Sequence, residues 1–263
     1  MSNDLTLSYV LSVLVALLMA VGSLAGLLYS AHLYPTEELR QAFVPNDVVN
    51  LLIGLPSLLG SMYLTRRGKL LGLLFWPGAL FYSFYNYLVY ALGLPLNPQL
   101  LLSLLLTALS AYTTIRLVAS LDAEAIRQRL TGAVPARAAG VVLTILGAFF
   151  SVRAIVIFAQ ALLGHSSLGG AECALLVTDL LISPAWITGG VLLWRRHALG
   201  YVTGTGLLFQ GSTLFIGLVV VLLLQPVMTD APLMAVDIIV VLAMGLVCFV
   251  PFGLFLRGVA SKE

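Results

Sequence analysis

Two runs of sequence, LLSLLLTAL at residues 101–109 and LVVVLLLQ at residues 218–225, decide the fold class. Neither run alternates polar with apolar residues, as a strand of a transmembrane β-barrel would. Continuous apolar sequence is typical of an α-helix that crosses a bilayer, because a helix satisfies its backbone hydrogen bonds internally. Both runs therefore predict membrane-spanning helices and argue against a barrel.

Apolar stretches of this kind fill most of the 263 residues, of which 60% are hydrophobic and 9% are charged. A helix needs roughly 20 apolar residues to cross a hydrocarbon core of about 30 Å. Eight stretches meet that length: 8–32, 46–65, 70–93, 98–119, 138–163, 173–194, 198–225 and 233–256. The sequence thus predicts an all-α transmembrane bundle of eight helices, with no room for a soluble catalytic domain.

Basic residues are concentrated in one set of connecting loops and in the C-terminal tail. They are Arg66, Arg67, Lys69, Arg127, Arg129, Arg137, Arg195, Arg196, Arg257 and Lys262. The opposite loops contain only Arg40, so the positive-inside rule places both termini in the cytoplasm. The start, MSND, lacks the basic residues of a secretory signal, and the first segment is interpreted as a retained transmembrane helix. Positive charges spread along a membrane face indicate no nucleic-acid partner.

Part of the chain is repeated at a constant spacing of 129 residues. The stretch VVNLLIGLPSLLGSMYLTRR at 48–67 aligns with VTDLLISPAWITGGVLLWRR at 177–196, and both end in an arginine pair. After one deletion the following helices align as well, with Gly78 on Gly206. Two unrelated hairpins with similar stop signals are the alternative explanation.

The alignment predicts two parallel four-helix repeats, because an even number of helices inserts both copies the same way up. The first transmembrane repeat covers residues 1–119 and the second covers residues 138–263. Such repeats are related by a pseudo-twofold axis along the membrane normal, as in some transporters. The cytoplasmic linker between them, residues 120–137, is typical of a short amphipathic helix followed by a turn.

Two charged residues lie deep in the predicted helices, where an ionisable side chain is expensive and indicates a functional site by default. Arg153 lies about 15 residues, or roughly 22 Å, above the cytoplasmic start of the fifth helix. Asp179 lies about six residues, or roughly 9 Å, below the outer start of the sixth. In a core about 30 Å thick the two depths coincide, so we expect Arg153 to pair with Asp179.

Further polar residues collect in the outer half of the membrane. They include the counterpart of Asp179 in the first repeat, a tyrosine-rich stretch of the third helix and an acid near the start of the second. These candidate binding residues are Asn50, Tyr82, Tyr85, Asn86, Gln210 and Asp47. They could line a ligand cavity that opens outward, or form a hydrogen-bond network that fixes helix partners.

The loop before the second helix contains residues that can cap helices, and capping is a second explanation of Asp47. Thr36 is expected to cap a short interfacial helix. Asn46 or Asp47, directly after Pro45, can cap the second transmembrane helix. Capping therefore competes with ligand binding as the role of Asp47.

The chain carries no pattern typical of a cofactor or metal site. His32, His165 and His197 are scattered, and the cysteines Cys173 and Cys248 lie at different depths. Both lysines lie at cytoplasmic helix ends, which excludes a retinal Schiff base in mid-helix. We therefore predict no metal ion, no cofactor and no catalytic residues.

The segment 45–98, which begins PNDVVNLLIG and includes FYSFYNYLVY at 81–90, resembles a group of uncharacterised bacterial and archaeal integral membrane proteins. The later stretch GGVLLWRRHALGYV at 189–202 resembles the second half of the same group. The resemblance implies a multi-pass protein of the prokaryotic inner membrane. It implies no known activity.

These patterns favour a protein, not an enzyme, that binds or translocates a small or amphiphilic molecule through an outward-facing polar pocket between the repeats. In this hypothesis Arg153 holds an anionic group, and Tyr82, Tyr85 and Asn86 supply orienting hydrogen bonds. The partners would be the lipid bilayer and a small-molecule or lipid ligand, and the sequence permits a homo-oligomer.

Two other classes of function fit the same chain. One is a non-catalytic membrane scaffold or sensor subunit, in which the polar residues only hold helices together. The other is an intramembrane lipid-modifying enzyme, which would need an acid–base group near a headgroup. Its candidate groups are Glu172, Asp179, Asp237 and His165.

Overall fold

A computed structural model describes residues 3–165 and 167–262, and every regular element within them is helical. In chain order the helices are α1 (Asn3–Leu28), α2 (Ser30–Leu33), α3 (Glu37–Val49), α4 (Leu55–Arg66), α5 (Leu70–Gly93), α6 (Pro98–Ala119), α7 (Ala123–Leu130), α8 (Ala136–Leu162), α9 (Gly170–Trp194), α10 (Ala198–Met228) and α11 (Ala235–Ala260). A π-helical turn, Asn50–Gly54, joins α3 to α4 without a break. The predicted all-helical fold is confirmed.

Seven helical segments in the described residues are long and apolar enough to cross a membrane. They are α1, the continuous segment from α3 to α4, α6, α8, α9, α10 and α11. The remaining long helix, α5, has 24 residues and corresponds to the third stretch predicted from sequence. Its tyrosines and asparagine lower its hydropathy, and they are tolerated because much of α5 is buried against other helices.

The helix that contains Asp47 begins earlier than predicted. Thr36 caps α3 as expected, since its hydroxyl accepts a hydrogen bond from the backbone N–H of Leu39 at 3.3 Å. The helix then continues through Pro45, so the prediction that Asn46 or Asp47 caps a separate membrane helix is wrong. The Asp47 carboxylate instead accepts hydrogen bonds from two tyrosine side chains.

Pro45 is accommodated inside α3 because the carbonyl it leaves free has another donor. A proline lacks the N–H that would bond the carbonyl four residues earlier, which here belongs to Gln41. The side-chain Nε2 of Gln225, near the end of α10, donates to this carbonyl at 3.1 Å. The compensating bond also ties α3 to α10.

The helices form two four-membered rings that share one interface. In the first ring α1 packs against the α3–α4 segment, that segment against α5, α5 against α6, and α6 against α1. In the second ring α8, α9, α10 and α11 pack in the same cyclic order. The rings meet where α5 packs against α10, with α5 also touching α9 and α10 also touching α3.

The two ends of the bundle differ in charge. The arginine-bearing turns after α4 and α9 and the arginine-bearing helix α7 lie at one end, called here the basic end. There Arg129 donates to the carbonyl of Lys262 at 2.7 Å. The opposite end, called the outer end, contains the loops after α2, α5 and α8. There Asn97 donates to the carbonyl of Leu33 at 2.9 Å.

The linker contains the predicted amphipathic helix, α7. Its apolar side buries Ile126 and Leu130. On its exposed side Arg127 donates to the carboxylate of Glu124, and this hydrogen bond holds the pKa of Glu124 below its ordinary value. The helix therefore lies across the basic end with one face packed and one face in solvent.

The ring interface depends on a glycine contact. Gly78 of α5 faces the backbone of Gly206 on α10, and a β-carbon at Gly78 would overlap the Gly206 carbonyl oxygen. Only a residue without a side chain lets the two helices approach this closely.

The Gly78→Ala variant should therefore push α5 away from α10. We expect it to lower the free energy of unfolding by about 1–3 kcal/mol, as overpacking typically does. The measurement is thermal unfolding of the purified protein in mild detergent.

Gly60→Ala is the matched control, because nothing lies within 4 Å of a β-carbon at that position on α4. Alanine favours a helix over glycine by about 1 kcal/mol, so this variant should be unchanged or slightly more stable. Equal unfolding temperatures for the Gly78 and Gly60 variants would contradict the close packing of α5 on α10.

Candidate functional site

The polar residues predicted from the sequence are arranged around α5. Its side chains Tyr82, Tyr87 and Tyr90 are fully buried, and Tyr85 is half-buried. A buried tyrosine hydroxyl normally finds a hydrogen-bond partner. Tyr90 and Tyr85 each donate to a buried carboxylate, Asp47 in the first ring and Asp179 in the second.

Asp47 is completely buried inside the first ring. Its Oδ2 accepts a hydrogen bond from the hydroxyl of Tyr34 at 2.7 Å, and its Oδ1 accepts one from the hydroxyl of Tyr90 at 2.9 Å. The contacts of Asp47 with the described residues include no basic side chain. Buried polar groups are costly without partners, and here tyrosine hydroxyls provide them.

A glycine of α1 and the amide side chains of Asn46 and Asn86 enclose the space around Asp47. A β-carbon at Gly26 on α1 would overlap Asp47 Oδ2, so α1 can approach only because Gly26 has no side chain. Asn46 Nδ2 donates to the Tyr90 hydroxyl and to Oδ1 of Asn86, both at 3.2 Å. This enclosed network fixes the packing of α1, α3 and α5.

Asp179 differs from Asp47 because it has a cationic neighbour. Its Oδ1 accepts a hydrogen bond from the hydroxyl of Tyr85 at 2.7 Å. Its Oδ2 lies 3.4 Å from Nη1 of Arg153 on α8, so the pairing predicted from their depths is confirmed. The side chain of Asp179 is only 7% exposed, whereas that of Arg153 is 37% exposed.

Arg153 therefore lies at the edge of the bundle. Its neighbours Val152, Ile155 and Val156 on α8 are exposed apolar residues, which is the surface expected to face lipid. A guanidinium group has five N–H donors, and the single hydrogen bond of Arg153 within the described structure uses one of them. Its remaining donors are available to an anionic group that approaches from outside the bundle.

Apart from Tyr85, the other predicted residues form no hydrogen bond or ion pair with Arg153 or Asp179 in the described structure. Gln210 accepts a hydrogen bond from Nε1 of Trp186 at 2.8 Å. Both polar atoms of the buried Asn50 side chain lack a hydrogen-bond partner in the described part of the chain. Asn50 opens the π-helical turn, an element that frequently occurs at functional sites.

Tyr82 has a packing role rather than a place beside the carboxylates. A β-carbon at Gly54, in the same π-helical turn, would meet the Tyr82 ring at 2.7 Å. Of the tyrosines and amides expected to orient a ligand, Tyr85 contacts Asp179, while Asn86 belongs to the Asp47 network. The predicted cluster is thus divided into an Asp47 group and an Asp179 group, and Asn50, Tyr82 and Gln210 belong to neither.

A polar cavity of about 350 Å³ opens at the outer end between the start of α3 and the end of α10. Its charged lining residues are Glu37, Arg40 and Asp230, and Arg40 donates to Glu37 at 2.7 Å. None of the binding residues predicted from the sequence lines it. The described residues contain no group of three or more histidine, cysteine or acidic side chains that could hold a metal ion.

The Tyr90→Phe variant tests the network around Asp47. Removal of the hydroxyl leaves Asp47 with one tyrosine donor and deprives Asn46 of an acceptor. Leaving a buried polar atom without its hydrogen-bond partner costs about 1–3 kcal/mol, so thermal unfolding should occur at a clearly lower temperature.

Tyr63→Phe is the control, since Tyr63 is 55% exposed and its ring would still lie under Arg67. This variant should unfold like the wild type. A Tyr90→Phe protein as stable as Tyr63→Phe would show that Asp47 does not need the hydroxyl.

The comparisons with known proteins add no family to this description. No family model matches the chain, and no curated protein or solved structure shows significant similarity to it. Any functional conclusion therefore depends on the geometry of the chain itself.

Proposed function

We propose that this multi-pass membrane protein binds an amphiphilic molecule through its anionic group, at Arg153, in the outer half of the membrane. The observation that carries the proposal is the partly exposed side chain of Arg153 beside the buried carboxylate of Asp179. An arginine at the edge of an apolar bundle is rare unless it has a function. The lipid-facing position favours a ligand that is itself partly apolar.

The geometry supports competition between the ligand and Asp179. Asp179 already accepts a short hydrogen bond from Tyr85, whereas its distance to Arg153 is the longer 3.4 Å. An anionic group would therefore meet a guanidinium that is held in place but incompletely neutralised. Charge-assisted hydrogen bonds to arginine are strong and directional, which suits a phosphate or carboxylate headgroup.

The proposal includes an eighth membrane crossing by α5 and a duplicated architecture. The matching cyclic order of the two rings supports the repeat, as does the contact between Gly78 and Gly206, which the sequence alignment pairs. Under this arrangement the basic end faces the cytoplasm by the positive-inside rule. The protein would then belong in a prokaryotic inner membrane, with both termini in the cytoplasm.

Translocation would require the rings to move relative to one another. Three polar contacts join them towards the outer end: Tyr85 with Asp179, Gln225 with Gln41, and Glu38 with the backbone N–H of Ala171 at 2.8 Å. Opening the outer side would break these contacts. A ligand bound to Arg153 would lie next to the contact between Tyr85 and Asp179. Ligand binding and opening of the outer side would therefore be coupled.

A scaffold or sensor subunit is the second candidate, and the Asp47 network favours it. That network is enclosed within the first ring and its neighbouring elements. Such an arrangement stabilises helix packing and needs no ligand. Arg153 has no equivalent enclosure, which is why ligand binding is preferred.

Native mass spectrometry from mild detergent tests the proposed site. The wild type should carry a non-covalently bound mass, and a neutral double variant, Arg153→Gln with Asp179→Asn, should lose it. Loss of a charged hydrogen bond corresponds to about ten- to hundredfold weaker binding. The double replacement avoids leaving Asp179 as an unpaired buried charge.

Arg137→Gln is the control, because this arginine lies on the same helix but is exposed at the basic end. It should retain the bound mass. A bare wild-type protein, or equal occupancy in the double variant, would contradict the proposal and favour the scaffold.

A further inference from the structure

A second cavity lies far from Arg153, near the basic end of the bundle. This inner groove, of about 230 Å³, is enclosed by α5, α6, α9 and α10. Its walls include Phe81, Thr114, Leu192, Thr203 and Leu207. The walls are almost entirely apolar, and the exposed residues at its edge leave it open on the side that faces the bilayer.

The duplicated arrangement explains why the groove is empty of side chains. The offset that pairs Gly78 with Gly206 also pairs Phe75 with Thr203. On the opposite face of the α5–α10 contact, Phe75 stacks on Phe209 at 4.5 Å between ring centres. The equivalent space is thus filled by an aromatic cluster on one face and left open by Thr203 on the other.

Positive charge lies at the mouth of the groove. Arg195 lies one helical turn beyond the lining residue Leu192, so it projects from the same side of α9. Arg195, Arg196 and the neighbouring Trp194 are all exposed. Arginine and tryptophan beside an apolar groove are typical of the membrane–water interface, where phospholipid headgroups lie.

The corresponding arginine pair on the opposite face, Arg66 and Arg67, lies against tyrosine rings. The guanidinium of Arg66 lies over the ring of Tyr9 at 5.0 Å, and that of Arg67 lies over the ring of Tyr63 at 5.1 Å. No such ring contact is found for Arg195 or Arg196 in the described structure. The open groove therefore lies on the same face as Arg195 and Arg196, the arginine pair without such ring contacts.

We propose that the inner groove is a binding site for an anionic phospholipid of the leaflet at the basic end. One acyl chain lies in the groove between α5, α9 and α10, and the phosphate is held by Arg195 and Arg196. The chain is favoured because the walls are apolar and open to the bilayer, and the anionic headgroup is favoured by charge complementarity. The site is independent of the ligand proposed at Arg153.

The binding experiment uses phosphatidylglycerol as the anionic probe and phosphatidylcholine as the neutral one. Each lipid is titrated into delipidated full-length protein, and native mass spectrometry gives the dissociation constant. The wild type should bind phosphatidylglycerol more tightly. Each arginine near a membrane surface contributes about 1 kcal/mol, so Arg195→Gln with Arg196→Gln should weaken binding roughly 25-fold.

The matched charge control is Arg66→Gln with Arg67→Gln, which removes the same charge from the other face. This variant should bind phosphatidylglycerol like the wild type. Equal weakening by both pairs would mean that the lipid responds to overall charge, and the proposed site would be wrong.

The groove itself is tested by Thr203→Phe, which copies the residue that fills the opposite face. This variant should lose the tight phosphatidylglycerol site, while Thr203→Val, which keeps the volume, should retain it. Unfolding temperatures identify any variant that fails to fold. If Thr203→Phe does not fold, the comparison of the Arg195/Arg196 variant with the Arg66/Arg67 variant decides whether the proposal holds. Normal binding by a folded Thr203→Phe protein would overturn the proposal, and Arg153→Gln should leave this binding unchanged.

Discussion

Two carboxylates buried in an apolar bundle impose the constraint on which the rest of the structure depends. Asp47 and Asp179 both accept hydrogen bonds from tyrosine hydroxyls of α5, Tyr90 and Tyr85 respectively. Because unsatisfied polar groups are costly in hydrocarbon, α5 has to lie on the side of the first ring that faces the second, where its hydroxyls reach both carboxylates. Its low hydropathy and its glycine contact with α10 follow from that central position.

The two carboxylates differ in how completely the protein encloses them. Asp47 is shielded by α1, α3 and α5, and its only described partners are neutral hydroxyl groups. Asp179 is bonded to Tyr85 and also forms an ion pair with Arg153. The side chain of Arg153 is 37% exposed at the edge of the second ring. The first arrangement stabilises packing, whereas the second leaves a cation accessible. This difference between the two carboxylates is the basis for proposing ligand binding in the second ring.

Much of this arrangement could be predicted from the sequence, because membrane depth follows from counting residues along a helix. The pairing of Arg153 with Asp179 came from such a count and is confirmed. The role of Asp47 could not be predicted, since Pro45 suggested a helix start. The continuous helix depends on Gln225, a donor distant in sequence that satisfies the carbonyl of Gln41.

Other parts of the candidate site depend on tertiary contacts that no local pattern encodes. Tyr34 lies between α2 and α3, and nothing in its surroundings in the sequence indicates that it donates to Asp47. The sequence alignment pairs Asn50 with Asp179, yet the Asn50 amide has no hydrogen-bond partner among the described residues. An alignment of the two segments therefore does not predict which side chains contact each position.

The crossing of the bilayer by α5 is the central claim, and labelling at its two ends tests it most directly. Single cysteines at Lys69 and at Leu96, both exposed, would be introduced after Cys173 and Cys248 are replaced by alanine. In right-side-out vesicles an impermeant maleimide should label Leu96→Cys at once and Lys69→Cys only after permeabilisation. Labelling of both positions from the same side would contradict a spanning α5 and the architecture built on it.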